Sequence, residues 1–86
     1  MFKNESSYEK IRRLYWPGIE KIRKLYKPGT RVSLFEMDDC QAPPVGTRGT
    51  VLAVDDAGTI HVKWDNGSTL GVIYGEDRVQ IIGQGN

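Results

Sequence analysis

The spacing of apolar residues changes character once along the chain, near Pro28. Upstream, Tyr8, Ile11, Leu14 and Tyr15, then Ile19, Ile22, Leu25 and Tyr26, fall at helical intervals with Lys and Arg between them. That is the pattern of an amphipathic helix, apolar along one stripe and basic on the other side. Ser6, followed three residues later by Glu9, fits a capping box and starts the first helix near Ser7. Pro17 lacks a backbone donor and clashes with the preceding turn, which costs about 3 kcal/mol inside a helix. Two short helices, or one sharply kinked helix, are therefore expected. Helices of about ten residues are marginal alone, so the stripe must dock on the rest of the chain or on a second subunit.

Downstream of Pro28 the period falls to two. Thr30–Phe35 reads as a first strand with Val32 and Leu34 inward, Gly49–Val54 as a second, and Thr59–Trp64 as a third with Ile60, Val62 and Trp64 on the core face. Asp38–Gly46, which contains Ala42-Pro43-Pro44, is a long loop between the first two strands. Asp55-Asp56-Ala57-Gly58 has the residues of a tight turn. Asp65-Asn66-Gly67 predicts a hairpin in which both central residues take positive φ. Ser68–Tyr74 follows as a fourth strand, then a turn at Gly75–Arg78 and a fifth strand at Val79–Ile82. The layout predicts a mainly β fold: a five-stranded SH3-like barrel (residues 29–86) preceded by one or two short amphipathic helices in an arm (residues 1–28). An open OB-type barrel is the other candidate.

The arm contains a repeat. Glu9-Lys10-Ile11-Arg12-Arg13-Leu14-Tyr15-Trp16-Pro17-Gly18 recurs eleven residues later as Glu20-Lys21-Ile22-Arg23-Lys24-Leu25-Tyr26-Lys27-Pro28-Gly29. The copies differ only at Arg13/Lys24 and Trp16/Lys27, which marks a local duplication. The net charge of +1 conceals an asymmetry between the two segments. Residues 1–28 hold eight Lys/Arg against three acids, a balance of +5, while residues 29–86 hold four against eight, a balance of −4. Opposite signs let the segments attract each other or serve different partners. Eighty-six residues make one domain near the lower limit for folding without staples. One cysteine and one histidine allow neither an internal disulfide nor a four-ligand zinc site. No signal peptide or membrane span is legible, so a cytoplasmic location without membrane contact is the default.

Several of these segments together resemble a bacterial family, domain of unknown function 4314, found largely in mobile and conjugative elements of Gram-positive bacteria. The matching residues are Pro28-Gly29-Thr30-Arg31-Val32, Met37-Asp38-Asp39, Ala42-Pro43-Pro44, Gly46-Thr47-Arg48-Gly49-Thr50-Val51 and Val54-Asp55-Asp56-Ala57-Gly58. They continue through Ile60-His61-Val62-Lys63-Trp64-Asp65-Asn66-Gly67-Ser68, Leu70 and Gly75-Glu76-Asp77, so the resemblance runs from about Ile19 to Ile82. Cys40 and Tyr74 stand where proline is usual, Val79 replaces an aromatic residue, and the first copy of the repeat looks like an addition. A weaker likeness through Val62-Lys63-Trp64-Asp65-Asn66-Gly67 reaches the SH3-like domain of the mind-bomb ubiquitin ligases, and it bears on fold more than on function.

Candidate chemistry is sparse. His61 falls on the face opposite Ile60 and Val62, with no nucleophile or second base to complete a triad. Cys40 lies in an acidic, proline-rich loop where Asp38 and Asp39 oppose thiolate formation. Neither Asp38/Asp39 nor Asp55/Asp56 has the spacing of a calcium loop, and turn formation explains the second pair. No catalytic residue, metal site or cofactor is assigned, and the chain is read as a binding module and not an enzyme. Trp64 belongs to the core, whereas Trp16, Phe35, Met37 and Tyr74 are surface candidates. By analogy with SH3-like folds, a groove for a protein or peptide partner is placed at Met37, Pro43, Pro44, Asp65, Asn66 and Tyr74. Its acidic surroundings suit a basic peptide or helix, the arm itself among them. The alternative is an accessory nucleic-acid-binding protein acting through Lys10, Arg12, Arg13, Lys21, Arg23 and Lys24, with Tyr15, Trp16 and Tyr26 to stack on bases. A monomer or weak homodimer is expected in either case.

Overall fold

The computed structural model describes residues 18–84. The expected first helix, with its capping box at Ser6 and Glu9 and its break at Pro17, falls outside the described residues, as do Lys10, Arg12, Arg13 and Trp16. The elements are α1 (Ile19–Leu25), β1 (Arg31–Glu36), β2 (Arg48–Val54), β3 (Thr59–Trp64), β4 (Val72–Ile73) and β5 (Arg78–Gly83). Every strand pair is antiparallel, in the order β4-β3-β2-β1-β5. The fold is mainly β, and the sheet does not close on itself: β4 and β5 are its margins.

The core follows from the alternation in the strands. Val32 and Leu34 of β1, Val51 and Val54 of β2, Ile60, Val62 and Trp64 of β3 and Val72 of β4 are buried together. The Trp64 indole satisfies its one donor by giving Nε1–H to the Leu70 carbonyl at 2.9 Å. In β2 the pairing passes from Val51↔Val62 to Ala53↔His61, so Leu52 is an extra residue. This bulge resets the alternation and turns Val54 inward, where an unbroken period of two would have placed Ala53.

Helix α1 supplies the last core residue, Ile22, which is fully buried against the sheet. Arg23 fixes the helix beside the β2–β3 hairpin: Nε–H donates to the Val54 carbonyl (3.3 Å) and Nη2–H to Asp56 Oδ1 (2.8 Å). The Tyr26 amide closes the helix by donating to the Ile22 carbonyl. Leu25 points away and is exposed. The second copy of the repeat thus docks by one edge of its apolar stripe.

Two sequence expectations need correction. Asn66 does not adopt positive φ; among the described residues that conformation belongs to glycines. The connection uses three residues, with the Gly67 amide donating to the Trp64 carbonyl (2.9 Å), Gly67 at φ +96°, and the Trp64 amide donating to the Ser68 carbonyl (2.8 Å). A turn followed by one left-handed glycine joins strands as well as a two-residue turn does, and it spares Asn66 the strain. The β2–β3 hairpin repeats the design with Gly58 at φ +85°. The fourth strand is also far shorter than Ser68–Tyr74. Ser68 Oγ accepts the Leu70 amide, and the Leu70 carbonyl accepts the Trp64 indole, so this stretch meets its hydrogen-bonding needs outside the ladder.

The loop between β1 and β2 is anchored rather than loose. Leu34 exchanges hydrogen bonds with Thr47 and Gly46 (2.8 and 2.7 Å), Asp39 accepts the Gln41 amide (2.7 Å), and Pro43 is buried. Among the described residues no helix is long and apolar enough to cross a membrane.

Candidate functional site

Two open hollows meet at the turn between β4 and β5. That turn is built locally: the Glu76 and Asp77 amides donate to the Ile73 carbonyl (3.0 and 2.9 Å), and Asp77 Oδ2 accepts the Ile73 amide (2.9 Å). Gly75, at φ +88°, makes the reversal possible. Glu76 is left exposed at the tip.

The first hollow, about 560 Å³, lies between the β1–β2 loop and β4, and Met37, Asp38, Asp39, His61, Glu76 and Asp77 give it its character. It is acidic and its lining includes no Lys or Arg. The second, about 650 Å³, is aromatic: Tyr26 from the end of α1, Phe35 from β1 and Tyr74 after β4, with Ile60, Val72 and Val79 beneath them. Glu76 and Asp77 form the wall shared by the two. Arg78, also on the rim of the second hollow, leans 3.7 Å from Glu36. Burial, and to a lesser extent the neighbouring Tyr74, push the Tyr26 hydroxyl above its ordinary pKa, so it stays a neutral donor in this setting. Phe35 is 60% exposed, a large apolar area to leave in water.

The residues nominated from the sequence are not gathered in one place. Met37 lines the acidic hollow and Tyr74 the aromatic one. Pro43 is buried in its loop, and the Pro44 carbonyl accepts both the amide and the hydroxyl of Thr47. Asp65 takes a two-pronged contact from Arg31 (2.9 and 2.7 Å), which holds its carboxyl below the ordinary range. Asn66 stands at the hairpin tip and accepts the Ser68 amide. Tyr26, Glu76 and Asp77 were missed as groove residues. By sequence Tyr26 belongs to the arm and Glu76-Asp77 to a turn, although the place of the two acids just past Tyr74-Gly75 is a usable signal.

Of the basic residues within the described part, Lys21 and Lys24 are exposed on α1, whereas the Arg23 guanidinium is engaged with Asp56 and Val54. His61 Nε2 donates to Asp55 Oδ2 at 2.9 Å on the β2–β3 hairpin. Asp55 also accepts the Thr59 and Ala57 amides, and these bonds, the histidine's first among them, hold its carboxyl below the usual range. That pair staples a turn. Among the described residues no three His, Cys, Asp or Glu side chains converge as metal ligands do, and Cys40 is an exposed free thiol.

Among the described residues, an open antiparallel sheet with one docked helix, and two hollows sharing an acidic wall, define a small mainly β domain with a concave surface at one turn. A family model described as a domain of unknown function (DUF4314) matches residues 9–82, nearly the whole chain, and the protein belongs to that family. The match begins at the first copy of the repeat, upstream of the start near Ile19 read from the residues. No curated protein and no solved structure matches the chain.

Proposed function

We propose that this domain is a protein–protein interaction module with an SH3-like architecture, and that it takes a basic, apolar-anchored peptide or helix across the β4–β5 turn. The observation that carries the reading is the aromatic hollow of Tyr26, Phe35 and Tyr74 with the acidic wall of Glu76 and Asp77 beside it. Aromatic rings offer a partner large contact area at little entropic cost, and an adjacent negative wall selects basic partners. The strand order β5-β1-β2-β3-β4, with a long loop after β1, a short hairpin after β2 and a tight turn at the end of β3, supports the SH3-like assignment. The setting that the family resemblance implies, a bacterial mobile element, makes another protein of the same element the natural first partner to try.

The alternative, nucleic-acid binding through the arm, has Lys21 and Lys24 in its favour and the engagement of Arg23 against it. An amide-resolved NMR titration separates the two. The labelled full-length protein is titrated with a Lys/Arg-rich peptide carrying a Leu-Leu anchor, and separately with a mixed-sequence oligonucleotide. Shifts at Phe35, Tyr74 and Glu76 that persist in moderate salt and vanish in Tyr74→Ala are expected from the peptide. Shifts only with the oligonucleotide, confined to α1 and lost as salt rises, would replace this reading with the other.

A further inference from the structure

Helix α1 sits in a seat on the sheet, and the repeat gives the chain a second segment of nearly the same sequence. In the second copy of the repeat, Ile22, Arg23 and Tyr26 engage the seat. Ile22 is buried among the strand residues, Arg23 bonds to Val54 O and Asp56, and Tyr26 packs against the core beside Tyr74. The first copy presents Ile11, Arg12 and Tyr15 at the equivalent places, with Leu14 matching Leu25. The two differences, Arg13 for Lys24 and Trp16 for Lys27, correspond to positions that are exposed in the second copy. Ile22, Arg23 and Tyr26 thus keep their identity in the first copy, whereas half-buried Ile19 is matched there by Tyr8.

We propose that the seat accepts either copy: Ile11, Arg12 and Tyr15 can replace Ile22, Arg23 and Tyr26 by an eleven-residue shift within one chain. The ligand class of the site is an amphipathic helical segment bearing Ile-Arg-x-Leu-Tyr. Thr30 is buried and its carbonyl accepts the Val51 amide, so the chain beyond Gly29 stays fixed and only the helix exchanges. In the shifted register, residues 16–28 must loop across the gap that Lys27 and Pro28 now span. Loop-closure cost grows only with the logarithm of length, which makes the observed register the ground state and the shifted one its accessible competitor. A segment tethered this closely has an effective concentration of about millimolar, above that of a second chain in dilute solution, so the occupant comes from the same chain. The inference concerns the helix seat and needs no external partner; it shares Tyr26 with the aromatic hollow, where Tyr15 would stand in the shifted register.

The test uses the full chain and four proteins: wild type, Ile11→Asp, Ile22→Asp and the double variant. Ile11→Asp is expected to leave the urea midpoint unchanged. Ile22→Asp lowers it, and the double variant lowers it by more than the two single losses combined. In Ile22→Asp, the amides of Ile11–Tyr15 gain protection from hydrogen exchange. Additive losses without that protection overturn the proposal. Should Ile22→Asp not fold, Ile22→Ala with and without Ile11→Ala gives the same comparison. A midpoint for the Ile22 variant that rises with protein concentration would overturn the single-chain assignment and make a second copy the donor.

Discussion

Gly49 has no room for a side chain. A Cβ there would stand 2.6 Å from Val62 Cγ1, 2.8 Å from Trp64 Cε3 and 3.0 Å from the Lys63 carbonyl. Val62 and Trp64 are packed in the core and cannot swing aside, so Gly49→Ala is expected to destabilise by about 1–3 kcal/mol, read as a lowered urea midpoint. The sequence marks Gly49 as the start of a strand, but the ring lying over it comes from fifteen residues away and leaves no local trace. Asp55 is the other informative residue. Its native carboxyl is held below the ordinary value by His61 and the Thr59 amide, so its contribution to stability is present above the unfolded aspartate range, near pH 4. It is lost as pH falls through the lowered native value. Thermal melts from roughly pH 2 to 5 are expected to show a shallower acid-side decline in Asp55→Asn than in wild type. An unchanged slope would mean that the staple is not formed in solution.

At the scale of elements, the strands were legible because burial on one face imposes a period of two, and Val32, Leu34, Ile60, Val62 and Trp64 all lie where that period puts them. What alternation could not reveal was the bulge at Leu52 or the two-residue length of β4, since both depend on which backbone groups a neighbouring strand leaves unpaired. The hairpins show the same limit, as Asn66-Gly67 signals a turn without saying how many residues close it. The observed form makes a sharp prediction. Gly58→Ala and Gly67→Ala force a side chain into left-handed backbone and are each expected to cost about 1–2 kcal/mol. Asn66→Ala, at negative φ, is expected to cost less than either by the same denaturation measurement. Equal losses at Asn66 and Gly67 would instead indicate the two-residue turn. The docking of α1 was legible as a need but not as an address: a helix of this length requires a seat, and the partnership of Arg23 with Asp56 joins residues 33 apart.

For the whole molecule, the candidate site was the least legible part. Met37 and Tyr74, both surface candidates by sequence, are half-buried and line different hollows, because a groove is decided by which segments converge in space. Here the end of α1, β1 and the β4–β5 turn converge, and no short stretch of chain announces it. If the aromatic hollow is the binding surface, function and stability separate at Phe35. Phe35→Ser is expected to change unfolding free energy by no more than about 0.5 kcal/mol, because the ring is largely exposed, while abolishing the peptide-induced NMR shifts. A sheet that does not close also has two margins to defend, and they are unequal. β4 offers an incoming strand only two residues, too few to nucleate much pairing. β5 offers six, including Ile82, which is 46% exposed. Self-association at high protein concentration should therefore begin by strand addition along β5, where the charge of Arg78 is the main deterrent to a growing aggregate.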